Sequence, residues 1–156
     1  MAEVDFDDSD DNEEGAELPD DIYEKVMALS ELANDALENG RPEAAVAPLQ
    51  QALDLLPAPQ HDWGAWTWLN GSLGEAYFDL ADFKMARISF LDAMSGPDGI
   101  ANPYLLLRTG QSLFELGERV QSRHMLTQAH MLEGAELFSE EDPKYLAFLL
   151  SDGQSP

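Results

Sequence analysis

The chain has 156 residues, of which 31 are acidic and 8 basic, giving a formal net charge of −23, and it has no cysteine. That length suits one domain with one core, and a hydrophobic share of 44 % can fill it. The charge argues against direct binding to a phosphate backbone or an anionic membrane surface and favours a basic partner; the missing thiols exclude disulfides, thiolate zinc sites and cysteine nucleophiles.

The first 21 residues hold 11 of the acidic residues and neither Lys nor Arg. Low hydrophobicity with charge of one sign cannot offset the entropy of ordering, so residues 1–19 are expected to form a disordered acidic tail. They also lack the basic and apolar regions of a signal peptide, and no apolar run approaches the length of a membrane span, which points to the cytoplasm. Residues 20–150 are expected to form one helical domain and residues 151–156 a disordered end. Beyond residue 21 there remain 20 acidic against 8 basic residues, so the body itself stays near −12.

From residue 20 the pattern is helical throughout. Asp20 or Asp21 can cap a first helix, whose apolar residues (Ile22, Val26, Leu29, Ala33, Leu37) fall on one face. Asn39-Gly40 ends it. A second helix starts near Pro42 and stops before Pro57. Residues 57–60 are a connector, and two further helices are expected over about 62–80 and 82–94. After a loop at 95–99, a fifth helix is expected over about 103–116, broken by Gly117, and a sixth over 118–132. Past a break near Ser139, Asp142-Pro143 opens a short last helix to residue 150, with proline suited to a first turn. No segment reads as a strand.

The helices come in self-similar pairs. The stretch from Asn39-Gly40 through Ala45, Leu49 and Ala52 overlays the stretch from Leu80-Ala81 through Ala86, Phe90 and Ala93. A third copy runs from Leu116-Gly117 through Ser122, Leu126 and Ala129. The pattern resembles the tetratricopeptide repeat, with small residues at its positions 8 (Ala33, Gly74, Gly110), 20 (Ala45, Ala86, Ser122) and 27 (Ala52, Ala93, Ala129). The likeness covers residues 22 to 135. It implies an all-α fold of three helix-turn-helix pairs in a right-handed superhelical stack, with a short C-terminal helix added. Small residues let paired helices approach, and bulky ones fill the space to the next pair. The copies are 41 and then 36 residues apart, longer than the family's unit, and Asn70 and Thr109 stand where bulky apolar residues are usual.

In that family the first helix of each pair lines a concave groove. The resemblance implies a partner-binding surface comprising Asn34, Leu37 and Glu38 in the first pair, Trp68, Glu75, Phe78 and Asp79 in the second, and Tyr104, Gln111, Phe114 and Glu115 in the third. Leu37, Phe78 and Phe114 recur at one position and Glu38, Asp79 and Glu115 at the next. Two readings of this stripe stand: apolar anchors rimmed by carboxylates for a basic segment, or core residues beside an ordinary solvated face. Members that clamp an acidic tail use basic residues beside an asparagine; here Ser30 and Glu38 flank Asn34, so that activity is not expected. Of Trp63, Trp66 and Trp68, which one helix cannot bury on a single side, at least one is expected at the surface.

Catalytic signals are weak. His61, His124 and His130 have no metal-ligand spacing. Residues 10–21 echo a calcium loop but lack a preceding helix and the closing glutamate. No glycine-rich phosphate loop is present, and no cofactor or metal is expected. The segment from Glu133 to Leu149 is similar to the end of small bacterial tetratricopeptide proteins paired with secreted polymorphic toxins. That likeness implies an immunity protein that binds and neutralises a cognate, basic toxin domain. The alternative within the same fold is a secretion chaperone or adaptor holding a client segment in its groove. An enzyme, such as a hydrolase using carboxylates, is the reading from another class.

Overall fold

In the computed structural model, which describes residues 17–151, seven α-helices follow one another: α1 (Asp20–Glu38), α2 (Glu43–Leu55), α3 (Gly64–Asp79), α4 (Phe83–Met94), α5 (Pro103–Glu115), α6 (Arg119–Glu133) and α7 (Pro143–Leu149). Short 3-10 turns, Gln60–Asp62 and Ala135–Phe138, precede α3 and α7, and no strand occurs among the described residues. Residues 1–16, most of the expected acidic tail and of the calcium-loop echo, lie outside the described residues, as do residues 152–156. Each helix packs chiefly on its neighbours in sequence, giving three helix pairs in a row.

The three turns that close the pairs share one backbone chemistry. Gly40, Ala81 and Gly117 take positive φ values of 72°, 60° and 83°. Just after each, the amide of Arg41, Asp82 or Glu118 donates to the carbonyl of Ala36, Tyr77 or Leu113 at 2.8–2.9 Å. This left-handed closure satisfies carbonyls that a helix end leaves open. Glycine takes the position without steric cost in two pairs; Ala81 holds it with a Cβ.

The starts differ more. Pro19, not an aspartate, occupies the cap of α1, and Asp20 and Asp21 fall inside its first turn, where their charge complements the helix dipole. Side-chain caps form where the chain leaves a turn: Asp82 accepts from the Met85 amide at 3.2 Å, Asn102 from the Tyr104 and Leu105 amides, and Asp142 from the Lys144 amide at 2.9 Å. The third long helix begins at Gly64 rather than near residue 62, because the connector first makes a 3-10 turn.

The small residues sit at the close contacts. Ala33, Ala45, Ala52, Ala86, Ala93, Ser122 and Ala129 are fully buried, as are Leu49, Phe90 and Leu126. A Cβ on Gly74 would lie 2.6 Å from the Phe90 ring, and one on Gly110 2.6 Å from Leu126. The buried Ser122 hydroxyl donates to the Gly110 carbonyl at 2.7 Å, so this polar group is satisfied.

Candidate functional site: a half-open groove

The first helices of the second and third pairs bring three of the expected contact residues together. Trp68, Glu75 and Tyr104 line a notch of about 260 Å³ between α3 and α5, with Gly71 and Ser72 on the α3 side. It adjoins a larger hollow of about 690 Å³ at the start of α1 and α3, and Thr67, Trp68 and Asn102 line both. The hollow takes Leu18, Asp20 and Tyr23 from the entry to α1, Trp63 and Gly64 from the start of α3, and Pro97 and Asp98 from the loop before α5.

Among the tryptophans, hydrogen bonding separates structure from surface. The Trp63 indole N–H donates to the Pro57 carbonyl at 2.7 Å, and that of Trp66 to the Asp92 carbonyl at 2.7 Å. Both rings pack half-buried against the first core cluster. Trp68 is 41 % exposed, and its indole has no hydrogen-bond partner among the described residues. Tyr23 and Tyr104 are exposed to a similar degree, so the open region carries three accessible aromatic rings.

Arg108 bonds to one wall of the notch through Glu75. Its Nε donates to Glu75 at 2.5 Å, while Nη1 donates to Glu141 and to the side-chain Oε1 of Gln111, each at 2.7 Å. Gln111 also donates to Glu141 at 2.9 Å, and the Tyr104 hydroxyl donates to Glu75. The guanidinium stacks 4.8 Å from the Phe78 ring centre. One cation thus ties two carboxylates from distant segments, with all three side chains largely shielded. Burial pushes the Glu75 carboxyl above the ordinary carboxylate value; Arg108 opposes this, and the charges of Asp79 and Glu141 reinforce it.

Beyond Arg108 the chain covers its own groove. Tyr145 and Phe148 of α7 pack edge-on against Phe114 at 5.3 and 5.1 Å. Glu115 accepts from the Tyr145 hydroxyl at 2.6 Å and pairs with Lys144 at 2.7 Å. Burial, with the hydrogen bond to Glu115 and its negative charge, raises the Tyr145 phenol well above its usual value, so it remains a donor.

The expected surface therefore divides. Asn34, Glu38 and Asp79 are exposed, and Leu37 and Phe78 are half-buried. Trp68, Glu75 and Tyr104 meet in the notch. Gln111 is fully buried, and Phe114 and Glu115 are occupied by the C-terminal segment, so the groove is open over the first two pairs and not along its whole length. Leu37 and Phe114 pack against core clusters, in line with the core reading of that stripe.

Sequence reasoning passed over Arg108, Tyr23 and Glu141. Arg108 was recognisable as the one cation between Arg87 and Arg119 in a strongly acidic chain. Tyr23 precedes the expected groove position Asn34 by eleven residues, close to three helical turns, hence on the same helix face. No protein-family model and no curated protein matches this chain. No described helix is long and apolar enough to cross a membrane.

Proposed function

We propose that the protein is a non-catalytic binding module of tetratricopeptide type, acting in the cytoplasm as an immunity protein. In this reading it neutralises a basic toxin domain by occupying it stoichiometrically. The observation that carries the reading is the open half of the groove, where Tyr23, Trp68 and Tyr104 lie exposed and the carboxylates of Asp20 and Asp98 line the adjoining hollow. Aromatic rings with one wet edge make strong interface anchors, and carboxylates around them select a cationic surface and speed its approach. The charge of −23 extends that attraction over the whole molecule. A toxin that acts on nucleic acid presents a basic surface, and an acidic inhibitor suits it as a mimic of the phosphate backbone.

The test is reconstitution with any toxin domain that a neighbouring gene encodes. One equivalent should abolish toxin activity, and Trp68→Ala should weaken protection chiefly by speeding dissociation. Full protection at strongly substoichiometric amounts would point to turnover and sink the blocking mechanism.

A further inference from the structure

The expected groove positions leave the larger hollow unassigned, and its composition is specific. Three carboxylates, Glu17, Asp20 and Asp98, line it, and no Lys or Arg does. Its aromatic wall is Tyr23, Trp63 and Trp68, and Trp68 forms the ridge between this hollow and the notch. Carboxylates beside exposed ring faces suit a cationic side chain whose methylene stem can lie along the rings.

Gly71 supplies an independent observation. It lies in the middle of α3, where glycine is disfavoured relative to alanine. Three residues on, Gly74 is required by packing, since a Cβ there would meet the Phe90 ring at 2.6 Å. Gly71 is not: a Cβ there would make only an ordinary contact of 3.7 Å with Leu105. What Gly71 does is keep the notch clear between Trp68 and Tyr104. Glycine leaves room for another backbone to approach a helix closely.

The geometry points to an extended, lysine- or arginine-bearing segment of a partner protein as the occupant. Its backbone crosses α3 over Gly71, with one cationic side chain in the hollow between Tyr23 and Trp68. The segment stops at Arg108, which already holds Glu75 and Glu141, where the C-terminal segment covers the groove. The assignment rests on the groove being a protein-binding surface and adds where the segment lies, its charge and its conformation.

The test uses the full chain and two fluorescein-labelled dodecapeptides, one of alternating lysine and leucine and one of alternating glutamate and leucine. Fluorescence anisotropy reads binding to wild type, Gly71→Leu and Trp68→Ala, all of equal charge, with circular dichroism and melting as controls of folding. The lysine peptide should bind saturably, and each variant should weaken it about tenfold or more, the scale of a lost anchor. Equal binding to all three proteins overturns the hollow and notch as the site while leaving the wider acidic groove reading intact. Preference for the glutamate peptide overturns both.

Discussion

Two glycines three residues apart in α3 should respond oppositely to the same substitution. At Gly74 a new Cβ would lie 2.6 Å from two Phe90 ring atoms and 2.8 Å from a third. The ring must give way by roughly 1 Å, yet Phe90 is fully buried between helices. Overpacking of this kind costs about 1–3 kcal/mol, against which alanine recovers roughly 0.8–1 kcal/mol of helix propensity. Gly74→Ala should therefore destabilise by about 1 kcal/mol, and by no more than about 2. At Gly71, where Leu105 at 3.7 Å is the sole neighbour among the described residues, the propensity gain has nothing to oppose it. Gly71→Ala should stabilise by about 0.5–1 kcal/mol. Urea titrations followed by circular dichroism measure both, with an unchanged slope as the check that only stability moved. The first pair already carries Ala33 and Leu49 at the matching positions, so Phe90→Leu should cost less in the Gly74→Ala background than in wild type. Equal responses at the two glycines, or strict additivity of Gly74→Ala with Phe90→Leu, would refute the proposed contact.

Other perturbations probe the turns, the Arg108 network and the charge. Ala81→Gly should raise stability by about 0.5–1 kcal/mol, because a left-handed Cβ costs more than the added chain entropy of glycine; a lower melting temperature contradicts this. Arg108→Met should cost about 2–3 kcal/mol, below the full penalty for breaking a buried network because its side chain is 16 % exposed. Arg108→Lys should recover only part of that in denaturant titrations, since one ammonium cannot reproduce the separate Nε and Nη1 bonds. The Glu75 and Asp92 carboxyls are both raised by burial, so between the ordinary carboxylate range and their folded values the native state binds more protons than the unfolded chain. Their contribution to stability is complete below the ordinary range and lost as pH rises through the folded values. Melting temperature should thus rise as pH is lowered from neutrality toward the ordinary carboxylate range, and Glu75→Gln should flatten that slope.

The parts of the fold legible in the sequence are those set by close contact and by turn chemistry. Ala45, Ala86 and Ser122 recur because a larger residue would not fit between the paired helices, and Gly40 and Gly117 because a left-handed turn favours glycine, and such constraints repeat with the helices. Ala81 hides the second turn, since the backbone adopts the left-handed conformation there without the residue that advertises it. The C-terminal cover was not legible as such. Glu141 meets Arg108 and Tyr145 meets Glu115 across about thirty residues, and no local periodicity records contacts of that separation. For the same reason Gln111, Phe114 and Glu115 read as open groove positions. Among the tryptophans, Trp68 is the exposed one because the carbonyls of Pro57 and Asp92 fix the other two indoles, which spacing within one helix cannot reveal.

The most direct test of the open groove as the binding surface is the indole region of a nitrogen-edited NMR spectrum. The protein has 3 tryptophans and hence three indole N–H signals. Those of Trp63 and Trp66 are held by backbone carbonyls at 2.7 Å, whereas Trp68 faces the hollow and the notch. Titration with the lysine–leucine dodecapeptide should shift the Trp68 signal progressively to saturation, move that of Trp63, which also lines the hollow, by less, and leave that of Trp66 in place. Saturable binding that leaves the Trp68 signal unmoved would contradict the assignment and place the binding surface elsewhere on the molecule.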